Sequence, residues 1–315
     1  MTVAVAVALY NGEKFILDQM ETLRNQTRTP ERVVFCDDGS RDQTVNIVLD
    51  YIRKYNLSDT WEVHRNAINV GYIKNFYNAM LHCKEDIIFL CDQDDIWKLD
   101  KIEKMSRIME QREDIDLLSS KYDIIDAEGN TIKSIMHKKA SETGEMSIVT
   151  IRDIMSAYRW PGMVMCVRKE FFDRYYKEIV DVSAPHDLIF AILAADKKAF
   201  YEIDYVGAFH RRHQNNTAKE EHRVSKMLDF ERKLSDIEVT CDYYAQMNKD
   251  EFPVSANSKK YIEYKWKHLI RRKTELERRS LLGIINLYIS DEYKVLRLAS
   301  FIGDVWLVVF GKNRR

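Results

Sequence analysis

Apolar runs and amphipathic stretches alternate along the first 125 residues. Four runs have the length and composition of strands: Val3–Leu9, Arg32–Cys36, Trp61–Arg65 and Ile87–Cys91. Apolar residues recur at helical spacing in the segments between and after them: Glu13–Asn25, Asp42–Tyr55, Gly71–Cys83 and Lys98–Glu110. This regular alternation predicts an α/β fold, in which a mostly parallel sheet carries helices on both faces.

The pattern after residue 125 is mixed and then becomes helical. We expect a hairpin of Leu117–Ile125 with Thr131–Ile135, followed by a strand at Met163–Val167. A helix is expected at Lys169–Ile179. Two short strands are expected at Phe200–Ile203 and Val206–Phe209. Another helix is expected to begin at Asp187. Three later segments are predicted to be helical: Lys219–Asp250, Ser258–Arg279 and the apolar Leu281–Phe310. These patterns predict one domain over residues 1–217, with halves 1–125 and 126–217, and a helical region over 218–315.

Composition and charge are those of a globular protein. The chain is 45% hydrophobic and 31% charged with a net charge of −1, which does not favour nucleic-acid binding. Its five cysteines form no CxxC pair, so neither a zinc site nor a disulfide framework is indicated. The N-terminus lacks a signal-peptide pattern, and no apolar stretch reaches the roughly 20 residues that cross a bilayer. We therefore expect a cytoplasmic protein.

Polar residues follow all four predicted strands of the first half. The strand ends read Leu9-Tyr10-Asn11-Gly12, Cys36-Asp37-Asp38-Gly39-Ser40, Asn66–Gly71 and Cys91-Asp92-Gln93-Asp94-Asp95. The carboxyl ends of parallel strands meet at one edge of a sheet, where ligands bind. Adjacent carboxylates repel one another unless a cation lies between them, and hard oxygen ligands favour Mg²⁺, Mn²⁺ or Ca²⁺ over Zn²⁺. The alternative is ordinary turn and cap chemistry, which Gly, Asn and Asp also supply.

The absence of familiar phosphate-binding loops narrows the choice of ligand. Neither a GxxxxGK[ST] loop nor a GxGxxG turn follows the first strand. A metal ion would therefore carry more of the phosphate charge, which fits a nucleoside-diphosphate leaving group better than nucleotide hydrolysis or hydride transfer.

Ordered motifs over residues 1–217 make the chain resemble the inverting glycosyltransferases of family 2, which have the GT-A fold. The motifs are Leu9–Glu13, Asp37–Asp42, Asn69–Gly71, Asp92–Trp97, Trp160–Met163, His186-Asp187 and Arg211–Asn216. The form DQDDIW and the late basic segment look most like bacterial rhamnosyltransferases. By this resemblance, residues 1–125 form the nucleotide-sugar half and residues 126–217 the acceptor half of a catalytic domain.

The resemblance also implies roles for individual residues. Asp94 and Asp92 would bind Mn²⁺ or Mg²⁺, with His213 as a further metal or diphosphate contact, and Asp187 would be the catalytic base. The donor nucleotide would be bound by Leu9, Tyr10, Asn11, Glu13, Asp38, Asn69, Gly71, Asp92 and Gln93. For Asp187 the alternative is a helix cap, and for His213 it is a solvated basic loop.

Two further groups are candidates for substrate contact. Arg211 and Arg212 would attract the diphosphate electrostatically. The acceptor or sugar pocket would be lined by Trp97, Trp160, Gly162, Met163 and His186. Aromatic faces suit pyranose rings, but core packing is an equal alternative for the two tryptophans.

The helical region after residue 217 has a basic helix followed by apolar segments. Ser258–Arg279 contains nine Lys or Arg against three Glu. This arrangement fits an anionic membrane surface, with the protein peripheral on the inner face of the cell membrane. A helical cap on the catalytic domain or a homodimer contact are the alternatives.

The resemblance, together with these patterns, implies a glycosyltransferase of bacterial surface polysaccharide synthesis. It would take dTDP-rhamnose or a UDP-sugar as donor and a lipid-linked saccharide as acceptor. A sugar nucleotidyltransferase and an inactive GT-A-like scaffold are the competing hypotheses. The first should carry a Gly-rich, basic loop after the first strand, which Leu9–Lys14 lacks.

Overall fold

The computed structural model describes residues 1–132, 141–213 and 229–311, and these divide into two compact units. Unit one comprises Met1–Val149, Trp160–Val180 and His186–His213. Unit two comprises Thr150–Arg159, Asp181–Pro185 and Gln214–Arg315. The expected boundary at residue 217 lies outside the described residues.

A nine-stranded sheet forms the centre of unit one. Its strands are β1 (Val3–Leu9), β2 (Arg32–Asp37), β3 (Trp61–Arg65), β4 (Ile87–Asp92), β5 (Ile96–Trp97), β6 (Leu117–Ile125), β7 (Met146–Ile148), β8 (Met165–Arg168) and β9 (Phe200–Arg211). They lie in the order β3-β2-β1-β4-β8-β6-β9-β5, and β7 pairs with β9. Parallel pairing is confined to β3-β2-β1-β4 and to β6-β9, so the expectation of a mostly parallel sheet holds for the first half only.

Helices accompany the strands in the predicted alternation. They are α1 (Ile16–Arg24), α2 (Thr44–Lys54), α3 (Tyr72–His82), α4 (Lys101–Gln111), α6 (Lys169–Ile179) and α7 (His186–Asp196). Each of α1 to α4 buries one apolar stripe, such as Ile16, Met20 and Leu23 in α1. The strands β1 and β4 are apolar along their length because they are buried on both faces. The α/β class with C-terminal helices is therefore confirmed.

Two element predictions differ from the structure. The expected strands Phe200–Ile203 and Val206–Phe209 form one continuous strand, β9. A single 3-10 turn, Gly162–Val164, precedes β8, so the strand begins at Met165 rather than Met163. In the expected hairpin, Thr131 bridges to Ile125, and the rest of its second strand falls outside the described residues.

The regular elements in the described part of unit two are all helices. Its helices are α5 (Ile151–Ser156), α8 (Phe230–Met247), α9 (Ala256–Glu277), α10 (Leu281–Ile289) and α11 (Leu298–Phe310). Helix α9 is central, because it contacts the other four. A buried ion pair joins α9 to α11, in which Arg272 donates to both carboxylate oxygens of Asp304 at 2.7 and 2.8 Å. Within the described ranges, no helix has both the length and the apolar composition needed to cross a membrane.

Candidate active site

The ends of β1, β2 and β4 lie level with one another at one edge of the sheet. Leu9 is paired with Asp37, and Ala8 is paired with Asp92. The side chain of Gln93 continues this pairing, since its amide accepts from Tyr10 N and donates to Tyr10 O, both at 2.9 Å. A Cβ atom at Gly12 would lie 2.3 Å from Gln93 Oε1, so this contact requires glycine.

Hydrogen bonds between the β1–α1 and β2–α2 loops engage two of the predicted nucleotide-binding residues. Asn11, with φ of 48°, donates through its backbone to Ser40 Oγ and accepts from Arg41 N, both at 2.9 Å. Glu13 accepts from Gln43 N at 2.8 Å. In contrast, the Tyr10 side chain is 47% exposed, which leaves its ring available to a ligand.

Asp38 fixes the loop that follows β3. Its carboxylate accepts from the backbone N–H groups of Val70 and Gly71 at 2.8 Å and from Asn66 Nδ2 at 2.9 Å. Gly71 has a φ of 83°, a conformation that favours glycine. Asn69 donates to the Asp38 carbonyl at 2.9 Å. Asp38 therefore shapes the edge of the crevice through the loop that it holds.

The acidic segment after β4 has one buried and two more accessible carboxylates. Asp95 is buried, accepts from Arg211 N at 2.9 Å and lies 3.3 Å from His210 Nδ1. Burial alone would lower the pKa of His210. The hydrogen bond and the charge of Asp95 together have a larger effect, and they raise this pKa to about 9. Asp95 therefore connects the acidic segment to His210 and Arg211 at the end of β9.

Asp94 and Asp92 are both partly exposed. Asp94 Oδ2 lies 2.8 Å from His213 Nε2, and the His213 ring lies against Phe15 at 4.4 Å between centroids. Desolvation, then the charges of Asp95 and Asp94, raise the pKa of the Asp92 carboxyl well above its usual value, and Asp187 adds to this rise. The proposed ligands and the candidate base therefore share one electrostatic environment.

The structure corrects the prediction that Arg211 contacts a diphosphate. Its guanidinium is 3% exposed and donates to Asp94 O, Ala127 O and Asp18 Oδ2, each at 2.9 Å. The Arg211 guanidinium thus joins Asp94 of the acidic segment to the turn after β6 and to α1. Arg212 is half-buried, and its backbone donates to Ile125 O at 2.9 Å.

Three of the predicted pocket residues belong to the core. Trp97 and Trp160 are each 1% exposed and Met163 is fully buried, so none presents a face to a sugar. The Trp160 indole donates to Glu202 and packs edge-on against Phe200. The core-packing alternative therefore holds for both tryptophans in this structure.

The remaining pocket residues cluster at the start of α7. The helix begins at His186, and Asp187 lies in its first turn, where its Oδ1 accepts from Leu188 N at 2.8 Å. A Cβ atom at Gly162 would lie 2.9 Å from His186 Nε2, so glycine leaves room for the imidazole. His186 is 4% exposed, and burial lowers its pKa to about 3.

Sequence reasoning missed three residues that support the site: Phe15, Asp18 and His210. Phe15 supports His213, Asp18 anchors Arg211, and His210 pairs with Asp95. A signal existed for the last of these, because an acidic run at 92–95 and a basic run at 210–213 are complementary in charge. The segment Gln214–Asn216 of the same motif lies outside the described residues.

Comparison with known proteins places this geometry in a family. The model of "Glycosyl transferase family 2" matches residues 4–174. A glycosyltransferase from Methanocaldococcus jannaschii is 29% identical over 139 residues, 44% of this chain and 47% of its own length. The UDP-Gal:alpha-D-GlcNAc-diphosphoundecaprenol beta-1,3-galactosyltransferase of Escherichia coli is 26% identical over 38% of this chain and 42% of its own. The matches thus span less than half of each of these relatives.

Solved structures share the fold at low sequence identity. The TarS fragment 1–349 of S. aureus with UDP-GlcNAc has a TM-score of 0.61 at 17% identity, covering 100% of this chain and 93% of that one. The mannosyltransferase PcManGT of Pyrobaculum calidifontis, in complex with GDP-Man and Mn²⁺, has a TM-score of 0.59 at 14% identity, covering 98% and 87%. Since the family model spans more than half of the chain, this protein belongs to glycosyl transferase family 2.

Proposed function

We propose that this protein is a metal-dependent inverting glycosyltransferase that moves a sugar from a nucleoside-diphosphate donor to a saccharide acceptor. The observation that carries the proposal is the pairing of Asp94 with His213, 2.8 Å apart, beside Asp92 at the end of β4. Asp187 lies close enough to raise the pKa of Asp92. The site therefore combines ligands for a cation with a second, separate carboxylate.

The residues fit a divalent cation that shares its coordination with substrate. Asp94, Asp92 and His213 offer carboxylate oxygens and an imidazole, and Mn²⁺ or Mg²⁺ takes oxygen ligands readily. Within the described part of the chain, no three His, Cys, Asp or Glu side chains converge as a complete site. Phosphate oxygens and water would complete the set, as is common for Mg²⁺ with nucleotides. When bound, the ion neutralises charge on the departing diphosphate.

The chain's own residues supply acid–base chemistry and positioning. Asp187 accepts the proton of the acceptor hydroxyl as that oxygen attacks the anomeric carbon from the side opposite the diphosphate. One displacement inverts the anomeric centre. Tyr10 and Asn69 border the nucleoside, Arg212 attracts the diphosphate, and Arg211 holds the backbone of Asp94 in place.

The donor and the acceptor are proposed from relatives and motifs. TarS was solved with UDP-GlcNAc, PcManGT was solved with GDP-Man and Mn²⁺, and the E. coli relative is named for UDP-Gal and a diphosphoundecaprenol-linked sugar. These support a nucleotide-sugar donor and a lipid-linked saccharide acceptor, used at the inner face of the membrane for bacterial surface polysaccharide. The DQDDIW form favours dTDP-rhamnose, and a UDP-sugar is the alternative.

Two substitutions test the proposal. Asp187→Asn should reduce transfer by at least about a thousandfold, because the base is lost, while Mn²⁺-dependent nucleotide binding is retained. Asp94→Ala should abolish that binding as well. The matched control is Asp50→Ala on α2, since the Asp50 side chain is 71% exposed and is paired with Arg53 at the surface. Transfer by Asp187→Asn at a rate near wild type would remove the base assignment, and nucleotide binding indifferent to a chelator would remove the metal.

A further inference from the structure

An apolar surface covers the exposed side of helices α10 and α11. Nineteen large apolar side chains are exposed among the described residues, and seven of them lie within the thirty residues Leu281–Phe310. They are Leu281, Leu282, Ile289, Leu298, Ile302, Val309 and Phe310. Single exposed apolar residues are ordinary, whereas a cluster marks a surface that meets an apolar partner. We call these seven side chains the hairpin face.

Both helices expose mainly apolar side chains, in addition to the apolar side chains that they bury. In α10 the buried residues are Ile284 and Leu287, yet Leu282 and Ile289 are each 75% exposed. In α11 Leu307 is buried and Ile302 is 58% exposed. A helix at a protein surface in water normally has a polar outer side. The exposed sides of α10 and α11 are instead mostly apolar, which indicates that something apolar covers these helices.

The exposure is fixed by the packing within unit two. The buried pair of Arg272 with Asp304 holds α11 against α9. The connection between α10 and α11 is held as well, because Lys265 Nζ donates to Val295 O at 2.9 Å and Leu296 N donates to Asp291 Oδ2 at 2.7 Å. These polar contacts orient the apolar side chains outward.

Positive charge accompanies the hairpin face. Residues 281–315 contain five Lys or Arg and three Asp or Glu, a net charge of +2 in a chain whose total is −1. Lys294 and Arg297 lie between the two helices, and Lys312, Arg314 and Arg315 follow Phe310 in the sequence. Apolar side chains flanked by basic residues are typical of helices that lie in the interface of an anionic membrane.

We propose that the hairpin face docks this protein on an anionic lipid bilayer, with α10 and α11 lying in the plane of the interface. Their 9 and 13 residues are too few to span the roughly 20-residue apolar thickness of a bilayer. The contact thus falls on α10 and α11 rather than on the basic helix α9. Three basic side chains of α9 have acidic partners within unit two: Lys267 with Glu263, Lys273 with Glu238 and Arg272 with Asp304. This proposal names the surface that holds the protein at the membrane location proposed above, and it does not depend on the transfer reaction.

Co-sedimentation of the full chain with vesicles tests the proposal directly. The vesicles are phosphatidylcholine with about one third phosphatidylglycerol, compared with pure phosphatidylcholine. Leu282→Glu, Ile289→Glu and Ile302→Glu should each weaken binding to the anionic vesicles by about tenfold or more. Leu81→Glu on α3, where the leucine is 43% exposed outside the hairpin face, is the matched control and should bind like wild type. Melting temperatures verify that every variant is folded.

Three outcomes would overturn the proposal. The first is wild-type protein that does not bind anionic vesicles at low salt, where charge attraction is strongest. The second is a triple variant, with Leu282→Glu, Ile289→Glu and Ile302→Glu combined, that binds as well as wild type. The third is a wild-type protein that is dimeric and a triple variant that is monomeric, with equal binding of the two to vesicles. That result would assign the hairpin face to contact with a second copy of the chain.

Discussion

The imidazole of His186 is buried among aromatic rings directly beside the candidate base. Its ring lies 4.3 Å from that of Phe76 and 6.2 Å from that of Phe190, between centroids. Neither ring nitrogen has a hydrogen-bond partner among the described residues. With its pKa lowered to about 3 by burial, the ring is neutral at physiological pH. It therefore offers one donor and one acceptor to a water or a substrate hydroxyl.

Burial of His186 predicts a loss of stability in acid. The folded-state pKa of about 3 lies below the unfolded value of about 6.5. The unfolded chain therefore binds more protons between these values, so the free energy of unfolding falls as pH falls through that window. His186→Gln should remove about 2 kcal/mol of the difference in unfolding free energy between pH 7 and pH 5. Urea denaturation at both pH values measures it, and an unchanged difference would contradict the buried neutral state.

At the scale of elements, the edge of the crevice depends on a contact between two strand ends. Gln93 bonds to both backbone groups of Tyr10, and Gly12 leaves the space that its amide occupies. Glycine is required at position 12 for space and not for backbone conformation, since Gly12 is not among the glycines with positive φ. A side chain at this position would displace Gln93 and loosen the junction of β1 with β4.

A double-mutant cycle tests this junction. Gly12→Ala should lower the free energy of unfolding by about 1–3 kcal/mol, because the added methyl group overlaps Gln93. In a Gln93→Ala background the same substitution should cost much less, since the overlapping group is gone. Urea denaturation of the four proteins measures the coupling. Equal costs in both backgrounds would show that Gln93 is not what restricts this position.

The sequence predicted regular elements well and irregular ones poorly. The helices α1 to α4 and the strands β1 to β4 lie within a few residues of their predicted bounds, because their apolar periodicity reflects burial directly. Strand β9 looked like two strands, because Asp204 interrupts its apolar run. In the structure Asp204 accepts from the N–H groups of Ser141 and Thr143, and β6 is irregular opposite this stretch. Such a bulge depends on a distant loop, which local periodicity cannot register.

The whole molecule contains arrangements that no local pattern specifies. The grouping of the polar strand ends could be predicted from the sequence, because parallel strands must bring their carboxyl ends to one edge of the sheet. Thr150–Arg159 and Asp181–Pro185, in contrast, group with the C-terminal helices through contacts distant in sequence. The burial of Trp97, Trp160 and Arg211 likewise depends on tertiary packing. Residue type alone favours a binding role and a core role equally for an aromatic side chain.

Ligand binding should also be measurable as stability of the whole protein. A nucleoside diphosphate with Mn²⁺ at about 100 times its dissociation constant adds roughly 2.7 kcal/mol to the free energy of unfolding. For a protein of this size such a gain raises the melting temperature by several degrees. Asp94→Ala should lose this Mn²⁺-dependent rise, whereas the surface variant Asp50→Ala should keep it, because only Asp94 is paired with His213 at the strand end. A rise that persists in Asp94→Ala, or that survives a chelator in the wild-type protein, would mean that the donor is held by the loops around Tyr10 and Asp38 without a cation.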